Sequence, residues 1–228
     1  NGMKISNFFQ KNSIHNSLQR DKNIATFFLS VQPEITSHSL SREFWDIKTM
    51  VQQVAASLPA NYDFIVKEHS NNLGVRSINF YHELKKLPNL FFSPLSIDPI
   101  ELIKKSDIVF SIGGTVGMEA SLAGKPVISF TNRARYAFLD NIFYVHSLKD
   151  LPEIISEAID FGSKNTQAII KDTKRLYQAN KENSFLALGT TIFRGDKTKL
   201  EHQELEKAIS ILKDMKKFHT NNILNNES

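Results

Sequence analysis

Residues Asp107–Phe130 read DIVFSIGGTVGMEASLAGKPVISF, and three structural signals follow one another within them. Asp107–Ile112 is a β-branched and aromatic run of strand character, Thr115–Ala123 has the composition of a short helix, and Pro126–Phe130 returns to strand. Between the first strand and the helix stand Gly113 and Gly114, which let the backbone turn sharply. Strand, glycine turn, helix and strand in immediate succession make a β-α-β crossover, the building unit of a parallel sheet, and such crossovers are right-handed.

Outward from this unit the same alternation recurs. Ile24–Val31 reads as a buried first strand. A helix capped by Ser39 or Ser41 and running to about Leu58 follows, because Phe44, Ile47, Val51, Val54 and Leu58 recur at spacings of three and four and so share one face. Tyr62–Lys67 is a second strand, Ser77 to Leu87 a helix, Asn89–Ser93 a third strand, and Asp98-Pro99 opens the next helix. Ile142–Val145 supplies a sixth strand, and Leu148–Asp160 is helical. The fold class is therefore α/β: a Rossmann-like, doubly wound parallel sheet with helices on both faces, whose strand-exit loops gather along one edge where a ligand sits. The expected organisation is a linker or helix over 1–23, the Rossmann-like domain over 24–162, a C-terminal helical segment over 163–218 with helices near Thr166–Lys181 and Leu200–Phe218, and a disordered tail over 219–228.

Composition narrows the function. A chain of 228 residues at 41% hydrophobic and 23% charged is globular in type, and no run approaches the roughly 18 apolar residues that a membrane span requires. The absence of cysteine excludes disulfides, thiolate metal sites and cysteine nucleophiles, and makes a reducing cytoplasm the expected compartment. Seven histidines without i, i+4 pairing give no zinc pattern, and no G-x-S-x-G elbow is present. The net charge of +4 resides in the last quarter of the chain. Residues 1–162 hold 16 basic and 16 acidic side chains, whereas residues 163–217 hold 12 basic and 7 acidic ones. With no basic motif interleaved by aromatics, nucleic acid is not an expected partner; a basic helical face suits solvent, or peripheral contact with the anionic inner surface of a membrane.

Chemistry-bearing residues cluster at the predicted exit edge. In Ser111-Ile112-Gly113-Gly114-Thr115-Val116-Gly117-Met118-Glu119, the glycines allow close backbone approach and the helix start presents N–H groups and a positive dipole end, a site of phosphate size. The spacing is neither a P-loop nor a G-x-G-x-x-G dinucleotide fingerprint. Glu119 lies near enough to the helix start to reach a ribose hydroxyl; the alternative is that the glycines only shape the turn and Glu119 caps it. Val66-Lys67-Glu68-His69-Ser70 ends the second strand at the same edge, offering Lys67 and His69 to phosphate oxygens, with Arg76 in the following loop as a further phosphate contact. Gln32 and Glu34, where the first strand runs out, are weaker candidates for a sugar contact, as are Glu68 and Ser111 for the site in general.

Taken in order, VKEH at Val66–His69, Arg76 with Phe80-Tyr81, IGGTVGMEA at Ile112–Ala120 and GKPV at Gly124–Val127 resemble the nucleotide-binding half of capsule polysaccharide biosynthesis proteins. These are bacterial enzymes of the two-domain GT-B glycosyltransferase architecture, several of which transfer Kdo from a CMP-activated donor. The resemblance covers roughly residues 24–145. It implies that His69 and the Gly113–Gly117 turn hold the donor phosphate, that Glu119 binds the ribose and that Lys67 and Arg76 line the pocket. Relatives commonly carry His-Pro where this chain has His69-Ser70. The implied function is that of the donor-binding domain of a glycosyltransferase, with a sugar nucleotide, CMP-linked in several relatives, as substrate and no further cofactor or metal. A glycan or lipid-linked acceptor and an N-terminal GT-B domain are the implied partners. Catalytic residues are not identifiable, Glu34 and Glu68 being bases only for a domain that works alone. An epimerase acting on sugar nucleotides and a non-catalytic nucleotide-binding module are the alternative readings.

Overall fold

The computed structural model describes residues 2–13, 22–31, 44–134, 136–137 and 139–162. The chain divides into two compact units, Asn1–Lys174 and Arg175–Ser228, and every described residue belongs to the first. The helices expected near 166–181 and 200–218 and the tail at 219–228 lie outside the described residues.

The strands are β1 (Asn23–Phe28), β2 (Tyr62–Lys67), β3 (Leu90–Phe92), β4 (Ile108–Ser111), β5 (Val127–Ser129) and β6 (Ile142–Tyr144), and they form one sheet in the order β3-β2-β1-β4-β5-β6. Every pairing is parallel. The helices are α1 (Gly2–Asn12), α2 (Ile47–Ser57), α3 (Ile78–Leu84), α4 (Pro99–Lys105), α5 (Thr115–Leu122) and α6, over 151–162 after a 3-10 turn at Leu148–Asp150. The chain builds from β1 outward to β3, then returns to the other side of β1 with β4. That reversal is the topological switch point, and it opens a crevice at the carboxyl ends of β1 and β4.

The strands read as continuous apolar runs because helices cover both faces. Successive side chains alternate between two cores. Phe27, Phe64, Phe110 and Ile128 face the core shared with α1, α2, α3 and α6, while Ile65, Val109 and Val127 face the one built with α4 and α5. On the first face the Phe27 ring lies 6.2 Å from Phe110 and 5.8 Å from Phe130, and Phe44 meets Phe130 at 5.4 Å. Such aromatic pairs add about 0.5–1.5 kcal/mol each beyond their burial.

The helix ends show where local signals acted. Asp98 caps α4 by accepting from the N–H groups of Ile100 and Glu101, and Ser77 caps α3 at Phe80. In place of Ser39 or Ser41, Asp46 caps α2, its Oδ1 accepting from Lys48 and Thr49 N–H and its Oδ2 from Thr49 Oγ1 at 2.6 Å. The helix begins at Ile47, so Phe44 lies ahead of it rather than on its face, although it still packs into the core. Gly124, at φ +76°, ends α5, with Lys125 N–H donating back to Ala120 O; the GKPV stretch is thus a helix stop followed by β5. At the other terminus Ile5, Phe8 and Phe9 of α1 are buried beside Tyr81 and Phe92, which makes this asparagine-bearing stretch part of the core.

Candidate functional site

Parallel register brings the two motif-bearing strand ends to one edge. Phe28 of β1 pairs with Lys67 of β2, and Phe27 pairs with Phe110 of β4, the residue before Ser111. The exits of β2 and β4 therefore flank that of β1, about two strand spacings (~10 Å) apart. His69 leaves one side of the crevice and the glycine turn leaves the other.

The three glycines of the turn do different work. Gly113 has φ +86°, and a side chain there would put Cβ 2.5 Å from Thr131 Cγ2, so conformation and packing both demand glycine. Gly117 lies inside α5 with a would-be Cβ 2.1 Å from Tyr136 Oη. Its missing side chain leaves the space that Tyr136 fills. Gly114, at φ −69°, is under neither constraint, and a Cβ there would meet nothing within 4 Å. It is the N-cap of α5 and supplies no side-chain cap, unlike Asp46, Ser77 and Asp98. The start of α5 thus has no side-chain cap, with the positive end of the helix dipole there; Gly117 N–H donates to Gly114 O at 3.1 Å, and Thr115 is exposed beside it.

Glu119 is half-buried one turn further on, on the same helix face as Thr115. Among the described residues no side chain pairs with its carboxylate. Its carboxylate accepts no hydrogen bond from a helix-start N–H among the described residues. Ser111 is 1% exposed with its hydroxyl 3.5 Å from Tyr136 Oη, so it packs inward rather than toward the crevice. Burial holds the Tyr136 phenol above its usual range.

On the β2 side the structure corrects the reading of three charges. Glu68 is 1% exposed, and its carboxylate accepts from Arg76 Nη1 (2.6 Å), the His69 backbone N–H (2.7 Å) and Tyr81 Oη (2.7 Å). Arg76, itself buried, donates Nη2 to Ser30 O at 2.6 Å and lies over the Phe80 ring. Lys67 donates Nζ to Pro94 O and Leu95 O, which ties the end of β2 to the loop after β3. Burial pulls the lysine pKa down against the opposing pull of Glu68. Burial and then the Glu68 charge push the Tyr81 phenol far above its usual range. Buried charges need partners, and here the partners are internal. Lys67 and Arg76 are cross-links of the edge, and Glu68, with three donors on its two oxygens, is no general base. His69 is exposed, its backbone pinned by Glu68. Gln32 and Glu34 lie outside the described residues.

Tyr81, visible in the sequence only as part of the motif pattern, together with Thr131 and Tyr136, fixes the edge from a distance along the chain, by bonding Glu68, closing on Gly113 and filling the space at Gly117. Among the described residues no group of three or more His, Asp or Glu is placed to hold a metal ion. No helix among them is long and apolar enough to cross a membrane.

A family model described as capsule polysaccharide biosynthesis protein matches residues 4–139, from α1 through the loop after β5. The chain belongs to the capsule polysaccharide biosynthesis protein family. No curated protein matches its sequence. Among solved structures, this member of the family is similar to WaaG, a glycosyltransferase involved in lipopolysaccharide biosynthesis, with 19% identity, TM-score 0.46, and coverage of 77% of this chain and 46% of that one. It is similar to Thermosulfurimonas dismutans KpsC, a beta Kdo 2,7 transferase, at 16% identity and TM-score 0.46, covering 75% and 60% of the two chains. It is also similar to Methanocaldococcus jannaschii UDP-GlcNAc 2-epimerase at 14% identity and TM-score 0.48, covering 78% and 51%. The chain thus spans about half the length of these proteins.

Proposed function

We propose that this capsule polysaccharide biosynthesis protein binds a sugar nucleotide across the carboxyl edge of its sheet and acts as the donor half of a glycosyltransferase. The observation that carries this reading is the start of α5: a helix end without a side-chain cap, opened by Gly114, with the Glu119 carboxylate, unpaired among the described residues, one turn away. The donor phosphate sits at the helix start, Glu119 takes the ribose hydroxyls and His69 approaches the phosphate from the β2 side. Transfer breaks the bond between the sugar's anomeric carbon and a phosphate oxygen. The electron pair stays on the phosphate, where the α5 amides and His69 stabilise the growing negative charge, while an acceptor hydroxyl attacks the oxocarbenium-like carbon. The hydroxyl proton passes to a base that is not identified among the described residues.

Family membership supports a surface polysaccharide as the product, a glycan or lipid-linked acceptor and work at the cytoplasmic side, with the basic segment 163–217 against the anionic membrane. The motif pattern favours a CMP-linked donor such as CMP-Kdo. Calorimetric titration with CMP, UDP and GDP tests the reading: binding of one of them, with CMP preferred, is expected, and binding of none overturns it. Product formation only when an acceptor glycan is supplied separates transfer from epimerisation.

A further inference from the structure

Lys67 and Arg76 are bonded to carbonyls and to Glu68, so neither offers its charge to the crevice. The start of α5 contributes about half an elementary charge. A phosphate group that leaves a sugar with a growing negative charge needs more than that. A full cation stands beside the glycine turn in the loop after β5. Arg133 is exposed there, and among the described residues no acidic side chain pairs with it.

The loop that carries Arg133 is built against the glycine turn. Ser111 pairs with Ser129, and the Phe130 N–H donates to Ser111 O at 3.2 Å, so the exits of β4 and β5 run side by side. Immediately beyond, a Cβ on Gly113 would lie 2.5 Å from Thr131 Cγ2 and 3.9 Å from Ala134 Cβ. Arg133 stands between these two contacts. Its backbone is held from several sides: Arg133 N–H donates to Thr131 Oγ1 at 3.2 Å, Ser129 Oγ donates to Thr131 O at 2.9 Å, and Tyr136 fills the space at Gly117. Thr131, Ala134 and Tyr136 are buried, and the last two share a core with Val116, Met118 and Ala120 of α5. A turn anchored at both ends on Gly113 thus leaves Arg133 exposed beside the residue that precedes Gly114.

We propose that Arg133 is the cation that pairs with the donor phosphate, its planar fork meeting phosphate oxygens while the α5 start meets them from the helix side. This rests on the donor-binding reading above and deepens it by naming the side chain that supplies the full positive charge. When the bond between the anomeric carbon and the phosphate oxygen breaks, the electron pair stays on the phosphate. An arginine already fixed beside that oxygen stabilises the added charge without a rearrangement of the fold.

The experiment titrates the full chain calorimetrically with CMP, UDP and GDP and with the nucleosides cytidine, uridine and guanosine. Arg133→Ala is expected to bind the preferred nucleotide roughly ten- to hundredfold more weakly, the scale of a hydrogen bond to a charged group, to bind its nucleoside as the parent does, and to melt with the parent. Arg133→Gln keeps the stem without the charge and gives a similar loss, whereas Arg133→Lys keeps the charge without the fork and recovers part of the affinity. Lys86→Ala removes a positive charge from the exposed surface after α3 and leaves nucleotide affinity unchanged, which separates a direct pair from the effect of net charge. Parental nucleotide affinity in Arg133→Ala, a loss shared equally by the nucleoside, or a loss matched by Lys86→Ala overturns the pairing while the donor site stands. Binding of no nucleotide by the parent removes the donor site itself, and this proposal with it.

Discussion

A methyl group placed on Gly114 is expected to leave the fold intact and to cut nucleotide binding, whereas one on Gly113 damages the fold. At Gly114 the backbone is extended, at φ −69° and ψ 168°, which alanine adopts freely, and the added Cβ meets no atom of the described residues within 4 Å. Restricting the unfolded chain stabilises by about 0.4–1 kcal/mol, and replacing glycine by alanine at an N-cap costs about as much. Gly114→Ala should therefore melt within a few degrees of the parent. On the proposed placement the methyl group takes up space beside the helix start that the phosphate would use, and losing one hydrogen bond to a charged phosphate costs about 1.5–3 kcal/mol, roughly a ten- to hundredfold loss of affinity. Gly113→Ala forces alanine to φ +86° with a 2.5 Å contact to Thr131 Cγ2, a loss of about 1–3 kcal/mol for the backbone alone. Urea denaturation and calorimetric titration of the best-bound nucleotide, run on both variants, measure the two effects separately. If Gly114→Ala binds nucleotide as the parent does, the glycines only shape the turn and the phosphate site is wrongly placed.

Glu119→Ala is expected to weaken nucleotide binding by about 1.5–3 kcal/mol for each charge-assisted bond it makes, with stability unchanged. His69→Ala is expected to weaken the nucleotide but not the free nucleoside in the same titration; equal losses for both would place His69 away from the phosphate. Tyr81→Phe removes a donor from the buried Glu68 carboxylate and should cost about 1.5–3 kcal/mol in urea denaturation, and Arg76→Ala about 3–5 kcal/mol by breaking a buried pair. Loss of ligand affinity at unchanged stability would return Arg76 to the pocket. Burial raises the phenol pKa of Tyr62, Tyr81, Tyr136 and Tyr144. Folded-state values above the unfolded one near 10 mean that the unfolded chain loses these protons first. Their stabilising contribution is complete below about pH 10 and is lost as pH rises above it. Ultraviolet absorbance should show these phenols ionising together with alkaline unfolding, and early ionisation of all four in the folded protein would contradict their burial. Phenolate absorbance isolates this effect from Lys67 and Lys125, whose lowered values act in the opposite direction.

Periodicity and turn chemistry made the sheet legible. Strand runs such as Tyr62–Lys67 and cap pairs such as Asp98-Pro99 carry their conformation locally, so each appears within a residue or two of its expected place. The start of α2 is not legible locally because serine and aspartate are both good cap residues; in the folded chain Asp46 accepts from Lys48 and Thr49 N–H, while Phe44 ahead of it packs on Phe130. The Ile5, Phe8, Phe9 spacing of α1 was readable as a helix face, yet nothing local says that Tyr81 and Phe92 wait to cover it.

By itself the sequence determined the strand–glycine turn–helix unit, the doubly wound class and the edge on which polar residues gather, because backbone propensity and apolar spacing act within a few residues. Tertiary structure alone decided what those polar residues do. Lys67, Glu68 and Arg76 turn inward because the carbonyls of Pro94, Leu95 and Ser30 and the Tyr81 hydroxyl arrive from other elements to pair with them. Of three glycines that look alike in the chain, Thr131 claims the space at Gly113 and Tyr136 that at Gly117, and among the described residues none claims that at Gly114. Which space is filled is a property of neighbours distant in sequence, and only the folded chain brings them together.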